Sequence, residues 1–355
     1  MPRLSDRAPA APRAGSLAHP HRCPPRLREG HGGVTRAARR TFLLGGLAAG
    51  VAGAARAQPE PYPSRPIRLV VPFAPGGGTD LIARILAVRL GEILGGSVVV
   101  ENRAGASGAI GTAAVARSKP DGYALLFTSS PAIVVLPALQ PPPPYDPERD
   151  LTPIATIARQ AILFVVPAAS PHKTLQDLVA AAAATALPYG TPGAGTDPHL
   201  AGLALADAAR VALTHVPYRG GGPALNGLMT GEVAFLPALT GVAKPLLEDG
   251  RARALATTSP HRHTDLPDVP TTTELGFPSV DLVPWWGLFA PPGLDAAAVQ
   301  RLAAATAELG RDPTWSSRLE KLSVEPISFD ALRTAQEVSG QIASWRTRLA
   351  GRSID

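Results

Sequence analysis

Short hydrophobic runs alternate with longer amphipathic stretches between residues 67 and 257, and glycine or proline separates most of them. A continuous apolar run bounded by such residues predicts a buried strand, whereas apolar residues three and four positions apart predict a helix. In the first third of the chain this pattern predicts strands at residues 67–73, 98–100 and 123–127, with helices at 79–94 and 110–117 between them.

The same alternation resumes after the proline tract at residues 141–144, which can continue neither a helix nor a strand. The predicted strands are 162–166, 187–190, 212–216, 233–236, 252–257 and 285–290, and the predicted helices are 174–184, 197–209, 223–229, 242–248, 295–309 and 330–349. Strands that alternate with helices favour a parallel sheet covered on both faces. We therefore predict two α/β lobes, with the C-terminal helices packed on the first.

The first 57 residues differ from the rest and are typical of an export signal. They contain ten arginines but only Asp6 and Glu29 as acids. The pair Arg39-Arg40 precedes a short apolar run that ends in Ala55-Arg56-Ala57, the order of a signal peptide with a small-residue cleavage site. The apolar run is shorter than the roughly 20 residues of a membrane-spanning helix. We predict removal of residues 1–57 after a twin-arginine-like signal. An uncleaved anchor, or export by the general secretory route, is the alternative.

Removing this leader changes what the charge implies. The whole chain carries a net charge of +6, but residues 58–355 carry 24 basic and 26 acidic side chains, a net of −2. A slightly acidic mature chain lacks the excess of basic side chains that attracts phosphate backbones, so no nucleic-acid partner is expected. The single cysteine, Cys23, also lies in the leader, which excludes disulfides and thiolate chemistry from the mature chain.

Two predicted strands end in glycine-rich loops that lead into helices, at residues 73–80 and 190–196. Glycines let main-chain N–H groups approach a ligand, and a helix N-terminus exposes unpaired N–H groups at the positive end of its dipole. Either loop alone is better interpreted as a tight turn, but two such loops in matched positions favour capture of an anion. Neither loop has the phosphate-binding or dinucleotide-binding glycine spacing.

Other polar residues at strand ends are candidates for the same site. Asp80 could accept a ligand ammonium or hydroxyl, or could stabilise its own helix N-terminus. Residues 128–130 offer hydroxyl groups, and Tyr218 and Arg219 offer a phenol and a cation; ordinary polar loops are the alternative. His199 lies on a predicted helix and is interpreted as a packing or backbone-bonding residue. No hydrolase or zinc motif is present, which favours binding without turnover.

The ordered set of short motifs resembles the Bug family, the periplasmic solute receptors of tripartite tricarboxylate transporters. The motifs that carry the resemblance span nearly all of the mature chain: residues 62–73 (YPSRPIRLVVPF), 75–80 (PGGGTD), 99–108 (VVENRAGASG), 119–123 (KPDGY), 195–196 (GT) with 199–201 (HLA), 216–220 (VPYRG), 266–271 (LPDVPT) and 286–291 (WGLFAP).

The resemblance implies a two-lobed, Venus-flytrap receptor of the type II periplasmic kind, in which each lobe is a mixed, mostly parallel sheet flanked by helices. The expected boundaries are residues 58–160 plus 284–355 for the first lobe and 161–283 for the second. In the family, the loop after the first strand and the Gly-Thr loop of the second lobe grip one carboxylate. The expected ligand-binding residues are Phe73, Pro75, Gly76, Gly77, Gly78, Thr79, Asp80, Thr128, Ser129, Gly193, Gly195, Thr196, Tyr218, Arg219 and Gly220.

Further expectations concern the partners, the solute and the alternative functions. The resemblance implies a periplasmic monomer that binds a small carboxylated solute without a metal or cofactor and delivers it to membrane subunits of the transporter. Many relatives carry acids where this chain has Ala234 and Ala238, which hints at an apolar or non-amino-acid solute. The alternatives are an exported enzyme that uses Asp80, His199 or Tyr218 as acid or base, and a receptor that signals to a sensor kinase.

Overall fold

The computed structural model describes residues 62–139 and 141–350. The predicted signal peptide, its cleavage site after Ala57, and Cys23 lie outside the described residues. Among the helices described, none is both long and apolar enough to cross a membrane.

The described strands are β1 (Ile67–Val71), β2 (Val98–Asn102), β3 (Ala124–Ser129), β4 (Thr152–Arg159), β5 (Ile162–Pro167), β6 (Leu187–Thr191), β7 (Leu213–Pro217), β8 (Leu236–Leu239), β9 (Ala252–Thr257), β10 (Trp285–Ala290) and β11 (Glu325–Phe329). The described α-helices are α1 (Gly78–Leu94), α2 (Ala109–Ala116), α3 (Pro147–Asp150), α4 (Leu175–Ala184), α5 (Asp197–Ala209), α6 (Gly221–Thr230), α7 (Thr240–Glu248), α8 (Ala296–Leu309), α9 (Pro313–Glu320) and α10 (Ala331–Arg348).

Within these residues, a six-stranded sheet with the order β11-β4-β10-β3-β1-β2 forms the first lobe. Strand β1 pairs in parallel with β2 and β3, whereas β10 runs antiparallel between β3 and β4. Because side chains alternate across a strand, the sheet has two apolar faces. Leu69 and Val71 pack with Leu86 of α1 on one face, and Val70 packs with Ile342 of α10 on the other. Helices α1 and α10 therefore cover opposite faces.

The second lobe contains the remaining strands. Strand β5 is antiparallel to β8 and β9, and β6 is parallel to β7. A parallel bridge between Tyr189 and Phe235 joins β6 to the strand segment that becomes β8. Strands β6, β7 and β8 thus point the same way, and their carboxyl ends meet at one edge of the lobe. The predicted two-lobed α/β architecture with mixed sheets flanked by helices is confirmed.

Most predicted elements are present, and the exceptions have local causes. Strands β4 and β11 and helices α3 and α9 were not predicted. Pro153 and Pro326 interrupt the apolar runs of the two strands. Proline is tolerated in β11 because this strand lies at the sheet edge. The strand predicted at residues 233–236 begins instead at Leu236, after a connection in which the Ala234 N–H bonds the Pro188 carbonyl.

Gly202 is required by the packing of α5 on Tyr189. A methyl group at this position would lie 2.2 Å from Cε2 of the tyrosine ring, which is only 1% exposed. We expect Gly202→Ala to lower the free energy of unfolding by about 1–3 kcal/mol in chemical denaturation, because overpacking a core outweighs the better helix propensity of alanine. Gly340→Ala on α10 is the matched control, because an added methyl there meets no atom within 4 Å. Equal effects of both substitutions would contradict this packing.

Candidate functional site

The predicted site residues follow strand ends in both lobes. In the first lobe, the carboxyl ends of β1 and β3 and the amino end of β10 share one edge, since Ser129 pairs with Trp286. The Ser130 hydroxyl donates to Oδ1 of Asp197, at the start of α5, over 3.4 Å. This contact connects the end of β3 to the glycine-rich loop that precedes α5 in the second lobe.

Asp80 organises the first loop, which we define as residues 73–79. Its carboxylate is 2% exposed and accepts three hydrogen bonds, each 2.9 Å long. Oδ2 accepts from the Gly76 N–H and from Nε of Arg84, and Oδ1 accepts from Nδ2 of Asn102. The carboxylate therefore folds back on the loop and ties it to the end of β2.

The protonation of Asp80 follows from these bonds. Burial by itself would raise the pKa of this carboxyl, but the hydrogen bonds from Arg84, the Gly76 N–H and Asn102 outweigh burial and hold the pKa below its usual value. The ionised carboxylate thus stabilises the loop and the helix N-terminus. The expectation that Asp80 itself accepts a ligand group is not supported by this arrangement, because both oxygens are already engaged within the protein.

Two further contacts hold the first loop from its sides. Nδ2 of Asn102 also donates to the Phe73 carbonyl over 3.1 Å, and Nε1 of Trp286 donates to the Thr79 hydroxyl over 2.9 Å. The intervening segment from Pro75 to Gly78 is exposed. Neither Asn102 nor Trp286 was predicted as a site residue, since their roles depend on strands that are neighbours only in the folded sheet.

The first loop has main-chain donors without partners in the part of the chain that the structure describes. Gly77 precedes α1 without a side-chain cap, and Gly78 is the first helical residue. The N–H groups of Gly77 and Gly78 have no acceptor among residues 62–139 and 141–350. Unpaired N–H groups at a helix N-terminus attract an anion both by hydrogen bonding and through the helix dipole.

The second loop, residues 192–196, is held in a matching way. The Gly195 N–H donates to Nδ1 of His199 over 3.0 Å, and the Thr196 hydroxyl donates to the Gly193 carbonyl over 2.7 Å. Because the Thr196 side chain turns back to Gly193, it does not cap α5. At the start of this helix the Asp197 N–H faces its own carboxyl and Pro198 has no N–H, whereas the Thr196 N–H has no acceptor among the described residues. The predicted residues Gly193, Gly195 and Thr196 thus shape one loop beside the first turn of α5.

A stacked pair of histidines packs beside the second loop, and one of the two hydrogen-bonds to it. The rings of His199 and His215 lie 3.8 Å apart and nearly parallel, with Tyr189 packed on both. Burial, followed by the neighbouring His215, lowers the pKa of His199 to about 4. A neutral His199 leaves Nδ1 free to accept from Gly195, which supports its interpretation as a backbone-bonding residue. His215 was not predicted, although its Nε2 lies 2.6 Å from the Thr191 hydroxyl.

The third predicted segment, residues 218–220, contributes main chain rather than side chains. The Tyr218 N–H bonds the Thr191 carbonyl and the Gly220 N–H bonds the Pro192 carbonyl, which fixes this segment against the second loop. The Tyr218 ring, however, packs between Gly190 and Gly227, within the second lobe. The Tyr218 phenol therefore does not lie where a ligand-binding group was predicted.

Three predicted side chains remain. Arg219 is exposed and makes no hydrogen bond or ion pair within the described part of the chain. Thr128 is fully buried, and its hydroxyl lies 3.4 Å from the Ser129 carbonyl. Ser129 is 8% exposed and its hydroxyl has no hydrogen-bond partner among the described residues, so it is free to donate to a ligand at the sheet edge.

The helix N-termini of the described residues fall into two groups. Helices α1, α2, α5, α6 and α7 start without a side-chain cap, and each follows one of the strands β1, β2, β6, β7 and β8. The other five helices are capped by Asp146, Thr174, Asp295, Asp312 and Asp330. The uncapped N-termini all follow strands of the two lobes. In α1 the first N–H groups also lack a main-chain acceptor among the described residues, whereas in α7 the Thr240 N–H bonds the Ala161 carbonyl.

Asp197 is a site residue that sequence reasoning missed. Burial raises the pKa of its carboxyl to about 7, against smaller opposing effects of the Ser130 hydroxyl and its own N–H. The only sequence signal was its position directly after the Gly-Thr pair. Its carboxyl lies at the junction of the two lobes and is partly buried.

This raised pKa has a consequence for stability. An unfolded aspartate ionises near pH 4, so between pH 4 and 7 the folded state binds the proton more tightly, and wild-type stability falls as the pH rises through that window. We expect Asp197→Asn to be more stable than wild type at pH 8, with the difference shrinking toward pH 4, as measured by chemical denaturation. Asp268→Asn, at an exposed position, is the matched control. A pH-independent difference would contradict the raised pKa.

Ala238 does not bear on the solute as expected. It is 3% exposed, pairs with Leu163 on β5, and packs with Val165 and Ala243 in the core of the second lobe. Its side chain lies in an apolar cluster, so the lack of an acid at this position says nothing about the ligand.

Relatives of known sequence match most of the chain. It is 35% identical over 318 residues to a UPF0065 protein of Bordetella bronchiseptica, a match that covers 88% of this chain and 93% of the relative. It is 38% identical over 261 residues to Protein BugT of Bordetella pertussis, covering 72% of this chain and 80% of the relative.

Several solved structures are also similar to this chain over most of its length. The periplasmic binding protein BugD superposes with a TM-score of 0.71 at 33% identity, covering 81% of this chain and 97% of that protein. MatC of Rhodopseudomonas palustris with bound malate gives a TM-score of 0.72 at 31% identity, covering 81% and 100%. A protein of the same organism with adipate gives 0.73 at 32% identity, covering 81% and 97%.

These neighbours are solute-binding proteins, so the family does not support the alternative of an exported enzyme. The profile of the tripartite tricarboxylate transporter family receptors matches residues 82–352. Together with the relatives and the shared two-lobed fold, this match shows that the chain belongs to the tripartite tricarboxylate transporter receptor family, which includes the Bug proteins.

Proposed function

We propose that this protein is a periplasmic receptor that binds a small dicarboxylate between its lobes and delivers it to the membrane subunits of a tripartite tricarboxylate-type transporter. The observation that carries the proposal is the pair of uncapped helix N-termini, those of α1 and α5, that follow the two glycine-rich loops. Membership of the receptor family and the malate- and adipate-bound neighbours support it.

In this proposal the main chain binds the carboxylate. The N–H groups of Gly77 and Gly78 approach it from the first lobe, and donors at the start of α5 approach it from the second. The Ser129 hydroxyl adds a side-chain donor at the edge of the larger sheet. Asp80, Asn102 and His199 act indirectly by holding the two loops, and Gly220 holds the second loop through Pro192.

The strength of such a site is sufficient for a receptor. A hydrogen bond to a charged group contributes about 1.5–3 kcal/mol, and a helix N-terminus contributes about 0.3–1 kcal/mol more. Three or four such bonds amount to roughly 5–10 kcal/mol before ordering costs, whereas micromolar affinity requires about 8 kcal/mol. Main-chain donors can therefore account for useful affinity.

Binding is tested by thermal shift and calorimetry on protein first checked for a co-purified ligand by native mass spectrometry. The probes are malate, adipate and citrate, with adipamide as the uncharged match to adipate. We expect a saturable shift with at least one carboxylate and none with adipamide, since a ligand at 100 times its Kd stabilises by about 2.7 kcal/mol. Equal binding of adipamide, or a folded ligand-free protein that responds to no carboxylate, would contradict the proposal.

Export is tested separately. The proposed periplasmic location requires removal of the arginine-rich leader, and Edman sequencing of the exported protein is expected to begin at Gln58. Exported protein that still begins at Met1 would contradict the predicted cleavage after Ala57.

A further inference from the structure

A cavity of about 400 Å³ lies beside the C-terminal helix α10. One wall is α10 with β4, β11 and the turn Pro131–Val135 of the first lobe. Pro260 and residues 281–284, which lie between β9 and β10, also line the cavity, as do Ser130 and Asp197. Its volume is within the usual range for small-molecule pockets. It lies on the α10 face of the larger sheet, whereas α1 and the first loop lie on the other face.

One face of α10 supplies the polar groups of this cavity. Arg333, Glu337, Gln341, Trp345 and Arg348 recur every three or four residues along the helix and all line it. Such spacing puts side chains on one side of a helix. The cavity is therefore lined by regularly spaced polar and aromatic side chains from one face of α10.

Most charged groups around the cavity already have partners. Arg159 binds both carboxylate oxygens of Glu325, at 2.6 and 2.9 Å, and Arg348 binds Asp281 at 3.1 Å. The Ser130 hydroxyl binds Asp197. Nε1 of Trp285 donates to Oε1 of Gln341 over 3.0 Å.

Arg333 and Glu337 are the exceptions. They are four positions apart on α10 and could pair with each other, yet no ion pair joins them in the described part of the chain. The Arg333 guanidinium instead lies 3.6 Å from the centroid of the Phe329 ring. The Glu337 carboxylate has no hydrogen-bond or ionic partner among the residues described. The cavity thus carries one uncompensated cation and one uncompensated anion on adjacent helical turns.

Apolar surface surrounds these two charges. Trp285, Trp345, Val134 and Val135 line the cavity and are each less than 9% exposed, and Ile327 lines it as well. A ligand that fits this combination has an ammonium and a carboxylate close together and an apolar body. We infer that the cavity is a second binding site, for a zwitterionic α-amino acid with an apolar or aromatic side chain. Its carboxylate binds Arg333, its ammonium binds Glu337, and its side chain packs on the tryptophans.

Occupation of this site would bear on the movement of the lobes. The amino acid contacts α10 on one side and the connection at residues 281–284 on the other, so it binds both the first lobe and a segment that leads into it from the second. The cavity includes Ser130 and Asp197 of the lobe junction, but the inference rests on Arg333 and Glu337 of α10, which belong to neither loop of the proposed carboxylate site.

The test is calorimetric titration of the purified protein with leucine and phenylalanine. Phenylalaninamide, which lacks the carboxylate, and N-acetylphenylalanine, which lacks the ammonium, are the matched probes. We expect saturable binding of a zwitterion, with each one-charge analogue at least tenfold weaker. Absence of binding at millimolar concentrations, or equal binding of the analogues, would overturn the inference.

Variants locate the binding. Arg333→Gln and Glu337→Gln are each expected to weaken amino-acid binding at least tenfold, whereas Arg346→Gln, an exposed residue of α10 that does not line the cavity, leaves it unchanged. Malate or adipate binding, measured in the same variants, should match wild type, so the failure of one site is distinguishable from failure of the other. Unchanged amino-acid binding in both variants, or competitive displacement by a dicarboxylate, would place the amino acid elsewhere and overturn the inference.

Discussion

Replacing Asp80 by alanine is expected to lower both the stability of the protein and its affinity for a carboxylate. The substitution removes a carboxylate that is 2% exposed, so the Gly76 N–H loses its acceptor and Nδ2 of Asn102 keeps only the Phe73 carbonyl. A hydrogen bond to a charged group contributes about 1.5–3 kcal/mol, and water reaches the exposed Gly76, so we expect the free energy of unfolding to fall by about 2–3 kcal/mol in chemical denaturation. Because the first loop loses its tether, carboxylate affinity should fall at least tenfold.

The control for this prediction is Arg84→Ala. Arg84 also binds Asp80, but its side chain is 54% exposed, so loss of this ion pair should cost less than about 1 kcal/mol and leave binding nearly unchanged. Equal damage from both variants would mean that the ion pair, rather than the loop tether, matters. Wild-type affinity in Asp80→Ala would show that the loop geometry is irrelevant to binding.

Replacing Gly78 by proline is expected to reduce carboxylate affinity while preserving the fold. Gly78 is the first residue of α1, where proline is favoured because the N–H it lacks has no partner within the helix. The preceding Gly77 has φ −77° and ψ 167°, the extended conformation that proline requires of its neighbour. The substitution thus deletes one proposed donor without breaking the helix. Losing a hydrogen bond to a charged group, about 1.5–3 kcal/mol, corresponds to roughly 10- to 150-fold in Kd.

Gly78→Ala is the matched control for the proline variant. An added Cβ at this position meets no atom within 4 Å, and alanine keeps the N–H group. Titration calorimetry with the same dicarboxylate should therefore give wild-type affinity for alanine and a large loss for proline. If the two variants bind equally well, the Gly78 N–H does not contact the carboxylate. Equal melting temperatures would exclude unfolding as the cause of the loss.

The alternation of apolar runs with amphipathic stretches was sufficient to predict the two-lobed α/β fold. Helix α5 and strands β9 and β10 have the predicted bounds, because their hydrophobic patterns are uninterrupted and their ends are marked by glycine, proline or threonine. Strand β11 was missed because Pro326 and exposed polar positions leave it no apolar run, and its pairing with β4 depends on residues more than 160 positions away.

Part of the candidate site could also be read from the sequence. The two glycine-rich loops were found because a strand followed by glycines and a helix has a physical meaning that does not depend on the rest of the chain. Of the residues that hold those loops, Asp80 and His199 were named from the sequence, but Asn102 and His215 were not. Asn102 reaches Asp80 only because β2 pairs with β1, and His215 reaches His199 only because β7 pairs with β6. Tyr218 was assigned to the ligand site from its position at a strand end, but its ring packs against Gly190 and Gly227 within the second lobe.

A crystal structure of the protein with bound malate or adipate would show directly whether the two loops bind the solute. We expect one carboxylate within hydrogen-bonding distance, directly or through one ordered water, of the Gly77 or Gly78 N–H and of a main-chain donor at residues 194–197, with both lobes in contact with the solute. A carboxylate bound through the Arg219 or another arginine side chain, away from the first turns of α1 and α5, would contradict this expectation.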